Sequence, residues 1–450
     1  MIKDKLKKCF DFCEKKYNIM MYLSFFIIFM YIYNIGFKEY IYRNQLVIIF
    51  NFIAAGILLL CCNFNYIKNN WKRRNGQKQF LIFIIIAFLF VLLRNGDIAN
   101  HHYGAPFYTL YSLFLIFTLS NSNKWYNIFK NVILIFTFEH IFATVFCYCF
   151  PKVYLNNILP LFPKDAHLML IGQFNAGEIA GITQHYSTNA LYLVIGFIVN
   201  IFNFEFDKKD SKKIIHYIFL AINFFALLLT GKRVQVFFSL IAILIVIIIR
   251  NLNNLKKFLK KFLIVCTALG VSIVVCSLIV PSVLTPFKRT IDGLSKGDLF
   301  DSRKPLYNLA INEFESKPIF GQGWGNYKYI YSEKVQIKEM DLMDTHNIYL
   351  QVLCELGIIG FIFFIYVFIF LLISSIKDLI NENQKLGKKH NKNLTIISTF
   401  LTMHIYFLME GFFGNPLYDV MIYMPYACLL ANYMQIRLGK GSELWKNMII

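Results

Sequence analysis

Long uninterrupted apolar runs dominate this chain, in place of the strict alternation of strands or the one-sided stripes of soluble helices. They fall at about 19–37, 46–64, 80–93, 105–120, 128–150, 189–203, 214–230, 234–249, 262–280, 349–374, 395–414 and 418–436. Each approaches the roughly 20 residues a helix needs to cross the hydrocarbon layer. The pattern predicts an all-α polytopic membrane protein with about 12 transmembrane helices. Two connections are too long for simple turns: 151–188, rich in Pro, Asn and Gly, and 281–348, which contains Pro281, Pro286, Pro305 and Pro318. Connections of this length without a span of their own tend to carry function. Within the second, Pro305 suits a first helical turn, and Leu306, Leu309, Ala310, Ile311 and Phe314 follow with mostly helical spacing until Lys317-Pro318 stops the run. This predicts a short amphipathic helix at the membrane surface, although a helix packed on the bundle gives the same pattern. With no repeat and no soluble second domain, residues 1–450 are expected to form a single integral-membrane domain.

Composition agrees: 57% of residues are hydrophobic and only 16% charged, which excludes a soluble globular domain. The formal net charge of +20 would suggest nucleic acid for a soluble chain, but the basic residues lie mostly in short loops between apolar runs, so no nucleic-acid partner is expected. Connections on the side of the two termini hold 29 Lys and Arg, and those on the other side hold 16, over half of them in the one long segment 281–348. The positive-inside rule then places both termini in the cytoplasm and both long connections outside. The basic start, Met1 to Lys16, precedes an apolar run without a small-residue cleavage signal, so it is expected to be a retained first span. All ten cysteines lie in the N-terminal tail or in apolar runs, which predicts neither a disulfide framework nor structural zinc.

Candidate chemistry gathers around the run from Asp344 to Gln351 (DTHNIYLQ), which joins the longest polar connection to the tenth span. His346 is expected in the first helical turn, with Asp344 or Thr345 as the cap. The positive end of the helix disfavours its protonated form, and a neutral imidazole is a competent general base. The competing reading is an interfacial residue that bonds loop backbone. Asn347, Gln351 and Glu355 are spaced by four and share one helix face. Glu355, two turns into an apolar span, is expected to hold two helices together. Arg233 follows Thr230-Gly-Lys232 in a very short turn and offers a planar fork for phosphate oxygens, or snorkels to headgroups. Arg303, ahead of the loop helix, is a second anion ligand or a solvated charge. Gly321, Gly323 and Gly325 in GQGWG lack the strand–turn–helix context of a dinucleotide loop; a tight turn that lets backbone approach a ligand or the membrane is the better reading. His185, Tyr186 and Asn189 enter the sixth span, where they grip sugar hydroxyls or form an entry turn. Glu139, His140 and Glu410 are intramembrane ionisable groups, for which internal hydrogen bonding is the simpler role.

The order of these features resembles the family of O-antigen ligases and O-antigen or capsular polysaccharide polymerases. It comprises a Gly181-x-x-x-His185-x-x-x-Asn189 entry, an arginine after a short turn, a long external loop with Arg303 opening a helix, a Gly-x-Gly turn, and His346-Asn347 running into Gln351 and the Glu355–Gly360 stretch. The likeness is strongest over about 181–360; Lys232-Arg233-Val234 departs from the Ser-Arg-Gly often found there. The resemblance implies a bacterial cytoplasmic-membrane glycosyltransferase that moves undecaprenyl-pyrophosphate-linked glycan onto an acceptor glycan or lipid, inverting and without metal or cofactor. It implies Arg233 and Arg303 on the pyrophosphate, His346 as base, and His185, Tyr186, Asn189, Asn347 and Gln351 near glycan or acceptor, with 281–348 as the catalytic loop. Other polysaccharide-assembly proteins are implied partners. The HYSTNALYL and TGKR segments lean towards a polymerase over a ligase. Two alternatives compete: a transporter or flippase for lipid-linked oligosaccharide, and a non-catalytic scaffold. A transporter is expected to place paired charges near the midplane of broken helices. Here the candidate residues gather at one face around one asymmetric loop, which favours the enzyme.

Overall fold

The computed structural model describes residues 10, 12–34, 45–73, 75–94, 96, 104–202, 210–252, 274, 277–278, 280–295, 303–335, 343–385 and 392–439. In chain order the helices are α1 (Tyr17–Tyr33), α2 (Gln45–Arg73), α3 (Asn75–Arg94), α4 (Gly104–Leu119), α5 (Tyr126–Cys149), α6 (Lys164–Asn175), α7 (Tyr186–Ile201) and α8 (Asp210–Leu229). They continue as α9 (Arg233–Arg250), α10 (Thr285–Ser295), α11 (Lys304–Ser316), α12 (Tyr327–Val335), α13 (Ile348–Lys385), α14 (Lys392–Glu410) and α15 (Val420–Gly439). No sheet occurs among the described residues. Apolar runs become helices because a helix satisfies its own backbone donors and acceptors, the condition for burial in hydrocarbon. Among the described residues four are long and apolar enough to cross a membrane: Leu46–Trp71, Tyr126–Cys149, Arg233–Arg250 and Ile348–Gln384. Shorter apolar helices occupy Tyr17–Tyr33, Leu81–Arg94, Pro106–Leu119, Tyr186–Ile201 and Ile214–Leu229. With its composition, this makes the chain a polytopic integral membrane protein.

The expected spans shift in detail. The run at 349–374 belongs to a helix that continues to Lys385; the run at 395–414 stops at Glu410; the last starts at Val420. The expected span 262–280 lies almost wholly outside the described residues. Among its described residues the long connection 281–348 holds three α-helices, α10 to α12, where one was expected. Part of the α11 stripe packs on protein, the second of the two expected arrangements: Ala310, with Leu309 beside it, meets Tyr327, Tyr331, Leu350 and Cys354, while Ile311 stays exposed.

The chain divides into two compact units. The first comprises Met1–Asn65, Ser122–Asp292 and Leu379–Thr402. Here α5 packs on α1, α7 and α8, and α7 also packs on α8 and α9. Helix α7 is apolar on all sides and buried along nearly its whole length, the signature of a central helix. The second comprises Tyr66–Asn121, Gly293–Asp378 and Met403–Ile450, with α4 packed between α3 and α15. Within each unit, polar contacts join connections that the charge pattern assigns to one side. Asn65 Nδ2 donates to Glu14 Oε2 (2.6 Å), Asn383 Nδ2 to the Arg250 carbonyl (2.6 Å) and Asn70 Nδ2 to the Asn121 carbonyl (2.9 Å). In the other set, Ile179 N donates to Leu229 O (3.1 Å) and Trp324 N to Arg94 O (2.6 Å).

One helix is broken. Gly357 in α13 has φ 63° and ψ −169°, a region that only glycine visits readily. The break exposes backbone groups that the segment 318–323 satisfies in turn. Ile358 N donates to Pro318 O (2.9 Å), while Gln322 N and Gly323 N donate to Cys354 O (3.0 Å) and Glu355 O (2.7 Å). The two chains touch so closely that a Cβ on Gly321 would lie 2.4 Å from the Glu355 carbonyl carbon, and one on Gly357 would lie 2.3 Å from the Ile319 oxygen. The glycine turn therefore approaches the chain's own helix. Gly357→Ala is expected to lower stability by about 3 kcal/mol through strain and clash. Thermal unfolding in detergent checks this against Gly172→Ala, where nothing lies within 4 Å and no loss is expected.

Candidate functional site

The candidate residues of the second unit rest on one connection, 411–419, between α14 and α15. Arg303, immediately before α11, sends Nη1 to the Phe413 carbonyl at 2.7 Å. Ile348 N donates to Gly411 O (2.9 Å), Tyr349 Oη to Leu408 O (2.6 Å), and Thr345 Oγ1 lies 3.4 Å from Asn415 Oδ1. Arg303 and the His346 segment are thus anchored to the same short stretch of chain.

His346 is half-buried and has φ 53°, alone in the left-handed region among the described non-glycine residues. That conformation costs roughly 1–2 kcal/mol and persists only where neighbours enforce it. Both neighbours are fixed. Buried Thr345 receives Asn347 N on Oγ1 (3.1 Å), donates the same hydroxyl to Asn347 O (2.7 Å), and donates its own N to Gln351 Oε1 (3.1 Å). Asn347 Oδ1 accepts from Tyr349 N and Leu350 N, both at 3.1 Å. This corrects the expected cap: Asn347 caps α13, while His346 stands ahead of the helix and outside its first turn.

Behind this loop lies a buried carboxylate. Glu355 Oε2 accepts from Gly325 N (2.7 Å) and Tyr418 Oη, and Oε1 from Tyr327 N (3.0 Å) and Gln351 Nε2 (3.3 Å). Its role is therefore to clamp the GQGWG turn onto the broken helix, not to join two spans. Gln351 also donates to Asp344 Oδ1 (2.7 Å). Fully buried, with both amide atoms engaged by the protein, Gln351 links the clamp to the His346 loop and is not presented to a glycan. Tyr418 stacks on Trp324 with ring centroids 4.7 Å apart. Tyr327 Oη donates to Leu306 O (2.8 Å), and burial pushes its phenol well above the ordinary range, so it remains a donor.

In the first unit, His185 caps α7 by accepting Ser187 N on Nδ1 (3.1 Å), and its ring stacks on Tyr186. Tyr186 is mostly buried, with Lys232 Nζ 5.5 Å from its ring centroid. Asn189 is fully buried, and its Nδ2 donates to Thr144 Oγ1 (2.8 Å) and Ile179 O (3.0 Å). Lys232 caps α9 and Arg233 opens it, both half-buried. Two cations thus stand at a helix N-terminus. Of the other intramembrane candidates, His140 and Glu410 are enclosed and Glu139 is half-buried; His140 Nε2 lies 3.1 Å from Tyr33 O.

Residues 218–365 match the family model described as O-antigen ligase. This segment is similar to the O-antigen ligase family. The O-antigen ligase segment runs from within α8 to within α13 and so contains Arg233, Arg303, the three glycines, His346, Gln351, Glu355 and Gly357. His185, Tyr186 and Asn189, part of the resemblance read from sequence, lie before it. A search of curated proteins finds no match.

Two parts of the second unit were not singled out from the sequence. Arg94 ends α3, accepts Trp324 N on its carbonyl, and directs its guanidinium to the carbonyls of Phe320 and Gly321. Its signal was a lone basic residue in an otherwise uncharged stretch. Connection 411–419 gave almost none, having no basic residue, yet it carries Asn415 and Tyr418. Glu355→Ala is expected to cost about 3 kcal/mol by orphaning buried donors. Glu355→Gln is expected to cost about 1 kcal/mol or more, because either amide orientation aims an NH₂ at existing donors. Melting in detergent, with proteolysis at 318–327, measures both.

Proposed function

We propose that this protein is a glycosyltransferase of the polymerase or ligase type, acting on lipid-linked glycan at the outer face of the bacterial cytoplasmic membrane. The observation that carries the reading is His346: strained, held by Thr345 and Asn347, and set in a loop that shares its platform with Arg303. Strain maintained by this much hydrogen bonding is the mark of a residue kept for chemistry. The match of residues 218–365 to the O-antigen ligase family supports this class of reaction.

Outside the cytoplasmic membrane the driving force must already reside on the donor, as a diphosphate linking glycan to polyprenol. His346 takes the proton of an acceptor hydroxyl as that oxygen attacks the anomeric carbon. The bond from that carbon to the phosphate oxygen breaks with its electron pair, and the lipid diphosphate departs with inversion at carbon. Arg303 supplies positive charge to the departing phosphate. Arg233, with Lys232 beside it at the start of α9, offers phosphate-binding chemistry in the first unit. The connection 281–348 is the catalytic loop in this reading, and Asn347 and Gln351 serve by fixing its shape. Both termini are cytoplasmic in this arrangement, in keeping with the charge asymmetry of the connections.

His346→Ala is expected to lower transfer by roughly 10²–10⁴-fold, the usual contribution of a general base. The check is surface polysaccharide displayed by gel, at matched protein abundance. Loss of long chains with short lipid-linked units accumulating supports a polymerase; complete polymer left on its lipid supports a ligase. Unchanged polysaccharide would remove His346 as base and favour transport or scaffolding.

A further inference from the structure

Helix α6, in the connection 151–188, is apolar on the side that packs and also on the side that does not. Its inner face joins a small core, where Ala166 and Leu170 meet Leu159, Phe162, Ala180 and Tyr186. Its outer face presents Leu168 at 85% exposure and Met169 at 45%, with Ile171 and Gly172 beside them and Leu161 just before the helix. A water-facing helix would place polar residues there. Among the described side chains, the exposed polar groups are at the ends, Lys164 and Asn175, while His167 is half-buried with Nε2 2.9 Å from Phe162 O and Gln173 is buried.

The chain reaches this helix from the exposed apolar side of a span-length helix. On α5, one of the four helices apolar and long enough to span, Ile135, Phe138 and Phe142 are exposed along one stripe. Phe142 stacks on Phe146 and Phe146 on Phe150, which carries the stripe off the helix end to exposed Val153. Lys152 stands exposed at that end. Aromatic residues at a span end, then flanking lysines and an open apolar helix face, are the chemistry of the headgroup boundary.

We infer that α6 is seated in the bilayer, with Leu161, Leu168, Met169 and Ile171 among the acyl chains and Lys152 and Lys164 at the headgroups. The consequence reaches the entry of α7. Gln173 of α6 accepts Tyr186 N on Oε1 (3.2 Å), and Lys232 lies over the Tyr186 ring, so a seated α6 holds the Lys232–Arg233 turn at the depth of lipid phosphates. This seating does not depend on the transfer chemistry proposed above.

The test places an environment-sensitive fluorescent residue at position 168 or, for reference, at exposed Asn156 of the same connection, in the full chain held one copy per nanodisc of zwitterionic and anionic phospholipid. Leu168 is so exposed that the replacement leaves the fold intact, which thermal melting confirms. The expected result is blue-shifted emission from position 168, quenched by lipids brominated near the headgroup end of the acyl chain and protected from aqueous iodide, with the reverse at 156. Emission at 168 as red as at 156 and quenched by iodide would overturn the inference. So would a blue shift that bromolipid does not quench, or one seen only when two copies share a disc, since either assigns the face to protein.

Discussion

The break in α13 at Gly357 is the constraint on which the second unit depends. A helix interrupted in a membrane protein leaves donors and acceptors that nothing in hydrocarbon can satisfy. Here the segment 318–323 supplies the partners, and Glu355 closes the arrangement by binding two backbone amides of the following turn. Glycine at 321 and 357 is what lets the two backbones come so close. The price of the break is thus met locally, and the exchange anchors the large connection at a fixed point on the helix.

From that anchor the His346 loop follows by direct bonding. Glu355 binds Gln351, Gln351 binds Asp344 and Thr345, and Thr345 and Asn347 hold His346 in its left-handed conformation. Each link is buried or half-buried and hydrogen-bonded, so position is transmitted by rigid contacts over two helical turns. Polar residues on one face of an apolar helix here form a scaffold for a loop, and the loop carries the candidate chemistry.

The first unit is built on a different plan. A central apolar helix, α7, is wrapped by α5, α8 and α9, and its entry is tied to the turn carrying Lys232 and Arg233 through Tyr186. Both units therefore present cations or an imidazole at helix beginnings, where short turns can be fixed by caps and the helix dipole favours anions.

The sequence by itself determined the helical class, the membrane setting, the two long connections and the position of His346 at a helix entrance, because continuous apolar runs and proline or glycine breaks act locally. It also showed the Asn347, Gln351 and Glu355 face, since that follows from helical period alone. Only the tertiary structure decided what this face holds, that Asn347 and not Asp344 or Thr345 is the cap, and that α11 packs on protein. Arg94, Asn415 and Tyr418 reach the site from stretches remote in sequence, with no periodicity or spacing to signal them. The break at Gly357 was equally hidden. Whether a glycine in an apolar run bends the chain depends on a partner strand more than 30 residues away, and that partner exists only once the chain has folded.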